Sequence, residues 1–388
     1  MSKPPPTQLK TIAFVSNSGD LGGAECVLLD LLDIIVGHYH PVVMVPTHGP
    51  LAKKLSERGI SYTVTHHTPW TYHTSLQWPP LWLNSQIWYA LKLAHFIRKE
   101  RASLVYSNTM VTGSGLFAAF LLRKPHICHI HESSLDYLPY RFLLSERLTL
   151  YLINRLSQKI ILVSHFLNTR FKAHFASQKV EVVYNLVQIS PVEGSRKSFE
   201  APLARPQTTR LCMVGFMFPL KRQEHGILAV GHLKKTGHSV TLDLIGSGVP
   251  EYIDYLNELI AINGVAHEVR LRGHFENAAP IMDQNDIVLI CSEIESFSRV
   301  TVEAMRLGKL VIVSDRGALP EIVTHMKTGL IYPYGDIPQL ATWITWAINN
   351  PEHCKTIQHA AKEWVAQTLT FERNQNQILA ILNSVIGE

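Results

Sequence analysis

Glu295 and Glu303 flank a segment whose residue types suit the handling of a phosphorylated sugar. The stretch reads SEIESFSRVTVEAM after the short apolar run Ile287 to Cys291. That run predicts a buried strand, and a helix is expected from near Arg299, carrying Thr301, Glu303, Ala304 and Met305. Glu295 then falls in the loop between strand and helix. The free backbone N–H groups of a helix start favour a phosphate, and a carboxylate beside them accepts hydrogen bonds from sugar hydroxyls. Glu303, about one turn into the helix, is spaced to reach a ribose diol. Taken by themselves, both read more simply as solvated carboxylates near a helix start, where negative charge is favourable in any case.

Two further constellations bear on the same chemistry. Lys221 and Arg222 follow a strand that ends at Gly215. Cations there suit a phosphate-bearing ligand, unless they are simply exposed basic residues at a helix start. His131 ends the run His126 to Ile130 and opens a loop, the usual place for ligand contacts in such a sheet. Its bland alternative is a structural hydrogen bond. His126, Cys128 and His129 invite a zinc reading, but alternation along a strand points the two histidines to opposite faces, so no metal is expected. Gly246 and Gly248 begin a G-x-G, yet Glu251 occupies the third glycine position, which weakens a dinucleotide reading.

The elements that must hold these residues are short β-branched runs alternating with helical stretches. They are Thr11 to Ser16, Pro41 to Val45, Tyr62 to Val64, Leu104 to Ser107, His126 to Ile130, Lys159 to Val163 and Val180 to Tyr184. After a polar, proline-containing lapse between Leu186 and Thr209 the alternation restarts at Leu211 to Val214, Thr241 to Ile245, Val269 to Leu271, Ile287 to Cys291 and Leu310 to Ser314. Runs apolar on both faces are those of parallel strands covered by crossover helices, so two doubly wound α/β domains are predicted, facing across a cleft. A length of 388 residues, with 46% hydrophobic and 17% charged residues, supports two cores rather than a disordered chain. The net charge of +5 is too small to argue for nucleic acid, and none is expected as a partner. Five cysteines, odd in number and without a C-x-x-C pair, fit a reducing cytoplasm. The opening MSKPPPTQLK has no apolar core of a secretory signal. Ala102 to Leu122 is uncharged and long enough to span a bilayer, but its serines, threonines and glycines read as strand, polar turn and buried helix.

Taken as ESFSRVTVEAMRLGKLVIVSDRGALPEIV followed by Thr328, Gly329 and Leu330, the carboxyl half resembles glycosyltransferase family 4. The resemblance covers most of the chain. Its strongest points are the E-x7-E pair Glu295 and Glu303, Gly308, and Pro320 with Glu321; in the amino half LGGAE places Gly22 and Gly23 at the family's glycine pair, on the acceptor side. His131 with Glu132, Ser164, Tyr184 with Asn185, and Ile245 to Gly248 agree more weakly. The resemblance implies the GT-B architecture of two Rossmann-like domains. It implies that Glu295 contacts the donor sugar, that Glu303 binds the ribose, that Phe297, Ser298 and Arg299 bring backbone amides to the diphosphate, and that Lys221 binds phosphate. Two positions depart from the pattern: Ser298 stands where glycine is usual, and Phe216 where an arginine is frequent, so Arg222 is expected to substitute. No D-x-D triplet occurs, which favours diphosphate stabilisation by side chains and a helix terminus over a metal; no cofactor is expected.

On this reading residues 1–190 form an acceptor-binding domain, 191–208 a linker, 209–370 a nucleotide-sugar-binding domain, and 371–388 a helix packing back on the amino-terminal domain. The expected reaction moves a hexose-like sugar from a nucleoside diphosphate to a hydroxyl of a sugar or lipid-linked acceptor with retention, in cell-surface polysaccharide or glycolipid synthesis. Nucleotide-sugar epimerisation, phosphorolysis, or catalytically silent nucleotide-sugar binding are the alternatives. Between Arg141 and Lys172 six cations stand against Glu146 alone among apolar residues, read either as a basic amphipathic surface for an anionic membrane or as core helix with a basic edge. Trp70, Trp78, Trp82 and Trp88 read either as an acceptor lining or as core. A cytoplasmic protein, peripheral on the inner membrane face, is expected.

Overall fold

The structure is a computed structural model that describes residues 9–67, 69–73, 81–133, 140–189 and 208–387. The expected linker 191–208 lies, but for Thr208, outside the described residues, as does Trp78. The chain divides into two compact units. One comprises Met1–Leu186 with Phe371–Glu388, and the other Val187–Thr370.

In the first unit the strands are β1 (Thr11–Val15), β2 (His40–Val45), β3 (Ser61–Val64), β4 (Thr71–His73), β5 (Leu104–Ser107), β6 (His126–Ile130), β7 (Tyr140–Phe142), β8 (Lys159–Leu162) and β9 (Val180–Val182). The helices between them are α1 (Gly23–Ile35), α2 (Pro50–Glu57), α3 (Leu81–Lys99), α4 (Ser114–Leu121), α5 (Glu146–Leu156) and α6 (His165–Phe171). Seven strands form one parallel sheet in the order β3-β2-β1-β5-β6-β8-β9. Strands 4 and 7 pair antiparallel beside it. Ile12, Ala13, Phe14 and Val15 are all fully buried, as a central strand covered on both faces requires. The stretch Ala102 to Leu122 resolves into β5, a polar turn and α4, and no described helix is long and apolar enough to cross a membrane.

The second unit follows with β10 (Thr209–Val214), α7 (Gln223–Lys235), β11 (Val240–Ile245), α8 (Pro250–Ile262), β12 (Val269–Gly273), α9 (Ala279–Gln284), β13 (Ile287–Ile290), α10 (Arg299–Arg306), β14 (Leu310–Ser314), α11 (Leu319–Ile322), β15 (Leu330–Tyr332), α12 (Ile337–Asn349) and α13 (Pro351–Thr368). Its six strands are parallel in the order β12-β11-β10-β13-β14-β15. The last helix, α14 (Phe371–Ile386), belongs to the first unit, where Ile378, Ile381 and Leu382 join the core under α1.

Each sheet reverses its winding at one place. Succession runs outward from β1 through β2 to β3 and then resumes at β5 on the other side; likewise β10 to β12, then β13. Crossover loops diverge above such a point and leave a crevice at the carboxyl ends of the two central strands, which is where open α/β sheets bind ligands.

Candidate functional site

In the second unit the crevice lies beyond the ends of β10 and β13, and Lys221, Arg222, Glu295, Phe297, Ser298, Arg299 and Glu303 all stand in the segments that follow these two strands. β10 leaves through Gly215, at φ +145°, into a single 3-10 turn over Pro219–Lys221. The Glu293 N–H donates to the Leu220 carbonyl at 2.8 Å, tying this turn to the exit of β13. Lys221 is thereby placed with its Nζ 2.7 Å from Glu295 Oε1. The same oxygen accepts from Ser292 Oγ at 2.8 Å. Glu295 is therefore fixed by a cation from one central strand and a hydroxyl from the other.

Its backbone is fixed as well. Gly317, after β14, has φ +62°, and a Cβ there would fall 2.2 Å from the Glu295 carbonyl oxygen. Only glycine permits that approach, and the Ala318 N–H donates to the same carbonyl at 2.8 Å. Gly246 and Gly248 do comparable work between β10 and β11: a Cβ on Gly246 would meet the Gly215 carbonyl at 2.0 Å, and one on Gly248 the Met217 Cβ at 2.5 Å. The G-x-G is a packing device between two loops.

Ser298 is the N-cap of α10, its Oγ accepting from the Thr301 N–H at 3.4 Å and from Thr301 Oγ1 at 2.8 Å. The hydroxyl is turned into its own helix, so this departure from glycine serves the cap. Phe297 is buried beside it, while Arg299 and Glu303 face one another across one turn at 3.9 Å. Arg222 points elsewhere. Held at φ +51°, it donates from Nε to Glu293 Oε2 at 3.1 Å and from a terminal nitrogen to Glu224 Oε1 at 3.1 Å, and lies 5.8 Å from the centre of the Tyr334 ring. Burial pushes the Glu293 carboxyl up, but hydrogen bonds from Arg222 and Tyr334 outweigh it and hold the group below its ordinary range. Glu293, Glu224 and Tyr334 were not singled out from sequence; only the position of Glu293 at a strand exit offered a signal.

In the first unit the crevice lies beyond β1 and β5. Gly22 is the N-cap of α1 and Gly23 its first residue. The Gly22 N–H donates to Glu25 Oε2 at 3.2 Å. Burial pushes the Glu25 carboxyl up to about 7, with nearby Glu132 adding to the rise. Asn108, at the end of β5, donates from Nδ2 to the Ala24 carbonyl at 2.8 Å, and its Oδ1 lies 3.3 Å from His131 Nε2. Since that oxygen only accepts, His131 carries its proton on Nε2. The His131 N–H and the Met110 N–H both donate to Glu132 Oε2, and Thr109 donates to the other oxygen. His126 bonds Ser107 and Ser157, and His129 bonds Tyr106; burial holds both rings below the ordinary histidine range. Among the described residues no group of three metal-ligating side chains comes together.

The family model of group 1 glycosyl transferases matches residues 195–364, and that of Glycosyltransferase Family 4 matches residues 21–190. The chain belongs to glycosyltransferase family 4. Among its curated relatives, N-acetyl-alpha-D-glucosaminyl L-malate synthase of Bacillus anthracis is 29% identical over 145 residues, 37% of this chain and 38% of the relative. Glycogen synthase of Mycobacterium tuberculosis is 23% identical over 296 residues, 75% of this chain and 65% of the relative. The alignments thus span less than two thirds of either relative's length. HepE of Anabaena, solved in complex with UDP and glucose, superposes with a TM-score of 0.81 at 24% identity, over 97% of this chain and all of the other. Sucrose-phosphate synthase of Thermosynechococcus elongatus superposes at 0.75 with 16% identity, over 97% and 98%. Likeness at this level establishes the fold, which for this family 4 chain is GT-B.

Proposed function

We propose that this family 4 chain transfers a hexose-like sugar from a nucleoside diphosphate to a hydroxyl of a sugar or lipid-linked acceptor, with retention. The observation that carries the reading is the Lys221–Glu295 pair at the winding reversal of the second sheet. A lysine there meets the charge that grows on a departing diphosphate, and the N-terminus of α10 supplies backbone donors beside it. With Oε1 of Glu295 bound to Lys221 and Ser292, Oε2 accepts from a donor-sugar hydroxyl. Glu303 takes the ribose diol. In the first unit His131 hydrogen-bonds a sugar hydroxyl in exchange for its contact with Asn108, and the Gly22–Gly23 turn contributes to the acceptor side. Arg222 acts by positioning, holding the Glu293 loop against α7. Lys221 and the helix terminus fill the role a metal plays elsewhere, so the reaction is proposed to need no cofactor. HepE was solved with UDP and glucose, which makes UDP and UDP-glucose the first ligands to try. Peripheral attachment to an anionic membrane on the cytoplasmic side, in cell-surface polysaccharide or glycolipid synthesis, completes the proposal.

A thermal-shift screen of nucleoside diphosphates and their sugars tests it. One nucleotide is expected to raise the melting temperature selectively, as binding to the native state alone requires. Lys221→Ala is expected to keep the fold and lower turnover roughly 100-fold or more, the usual cost of removing one stabilising donor. Nucleoside diphosphate released at equal rates with and without any acceptor, or a Lys221→Ala variant as active as the parent, would overturn the reading.

A further inference from the structure

Seven of the fifteen exposed large hydrophobics among the described residues fall on three neighbouring helices of the first unit. They are Ile87 (57% exposed), Trp88 (58%) and Leu91 on α3, Phe120 (61%) and Leu121 at the end of α4, and Leu148 with Tyr151 on α5. Single exposed apolar residues need no explanation, but a set gathered on neighbouring helices does. Between α3 and α4 the surface deepens into a cavity of about 270 Å³ lined by Ile87, Ala90, Phe117, Phe120 and Leu121 over Trp70.

The floor of this groove is built rather than incidental. Trp70 is 2% exposed and its Nε1 donates to the Met110 carbonyl at 2.8 Å, so its polar atom is satisfied away from the groove. Its ring packs edge-on against Phe117 at 5.7 Å and Phe142 at 6.5 Å. A Cβ on Gly113 would lie 2.3 Å from that ring, so the glycine is what lets the indole seat there.

The charge around the face is one-sided. Leu81–Lys99, 113–124 and 140–157 hold eight lysines and arginines against one acid, Glu146. Lys92, Arg123, Arg147 and Arg155 are exposed, and Lys92 Nζ lies 5.3 Å from the centre of the Trp88 ring. A second copy of the chain would bring the same cations against themselves. An anionic lipid surface satisfies both features at once: headgroups meet the basic rim, Trp88 and Tyr151 sit at the interface, and apolar side chains enter the acyl boundary.

We propose that the α3–α4–α5 face is the membrane-docking surface of this chain and that the groove over Trp70 takes an acyl chain of an anionic phospholipid. This rests on the peripheral attachment proposed above and is independent of the donor chemistry. Flotation of the full chain with vesicles of phosphatidylcholine, with and without phosphatidylglycerol, tests it at low and high salt. The parent is expected to float with the anionic vesicles and to be released by salt. Phe120→Asp with Leu121→Asp, and separately Arg123→Glu with Lys124→Glu, are each expected to lower the bound fraction at least 10-fold. These residues are at the surface, so an unchanged melting temperature and unchanged nucleotide thermal shift report an intact fold and donor site. Lipids brominated along the acyl chain are expected to quench the parent's tryptophan fluorescence and to quench Trp88→Phe less. No flotation of the parent at low salt would overturn attachment itself. Flotation unaffected by the substitutions would overturn this face as its site, and so would loss of a self-associated species on Phe120→Asp in sedimentation velocity, which would make the occupant a second copy.

Discussion

Glu25 is a carboxyl 5% exposed beneath the turn that Gly22 and Gly23 make, and its raised proton affinity has a consequence for the whole domain. The unfolded chain titrates it near 4.5 and the native one at about 7, chiefly through burial. The native state therefore binds the proton more tightly. The associated stability is fully present below about pH 4.5 and is lost as pH rises through about 7. Glu25→Gln keeps the shape and an acceptor oxygen for the Gly22 N–H but cannot ionise. Relative to the parent it is expected to gain on the order of 3 kcal/mol at about pH 8 and little at about pH 4.5. Urea unfolding at the two pH values measures the difference; parallel pH profiles for parent and variant would count against a buried, proton-binding Glu25. The role is invisible from LGGAE alone, where the glutamate reads as a favourable charge in a helix's first turn.

At the level of elements, the site is held by a cap and a close approach, and each separates geometry from chemistry. Ser298→Ala is expected to cost about 1 kcal/mol through loss of the α10 cap, while Ser298→Gly, the residue usual in the family, costs only a few tenths. Gly317→Ala places a Cβ into the Glu295 carbonyl at a positive φ, so a loss of about 1–3 kcal/mol is expected together with weakened donor binding. Chemical unfolding and nucleotide thermal shifts read both effects; a Gly317→Ala variant that melts and binds like the parent would show that the Glu295 loop is not seated on that glycine. The short β-branched runs from Thr11 to Ser314 were legible because strands buried on both faces are apolar throughout. The helix starting at Arg299 was legible from its strand and serine-rich entry. β15 was missed because three residues, Leu330 to Tyr332, carry no period, and β4 with β7 because each is as short and their pairing is set by partners far apart in the chain. The same long range hides the carboxylate network around Arg222, whose partner Tyr334 enters from beyond β15. Gly317 lies inside the family-like segment, yet only the fold shows what it approaches.

At the scale of the whole molecule, the order of the chain and the order of the units differ. The second unit is one continuous segment, Val187–Thr370, whereas the first is completed only by Phe371–Glu388. Helix α14 brings Ile378, Ile381 and Leu382, at 2%, 7% and 1% exposure, into the core that α1 covers. Its polar bonds are equally far-reaching: Asn374 Nδ2 donates to the Tyr184 carbonyl at 2.7 Å, Gln375 Nε2 to the Ile34 carbonyl at 3.1 Å, and Tyr39 bonds Asn383. Burying three such side chains contributes on the order of 5 kcal/mol, which is comparable to the whole stability of many domains. Truncation after Thr370 is therefore expected to unfold the first unit selectively. Limited proteolysis should then degrade residues up to about Leu186 while leaving a protected fragment of the second unit, and that fragment should keep whatever nucleotide thermal shift the full chain shows. Equal protease resistance of both units in the truncated chain would mean that the first unit's core closes without α14. Loss of both units together would mean that they share one cooperative transition; where the second unit survives, the presence or absence of the nucleotide shift in that fragment decides where the donor site resides.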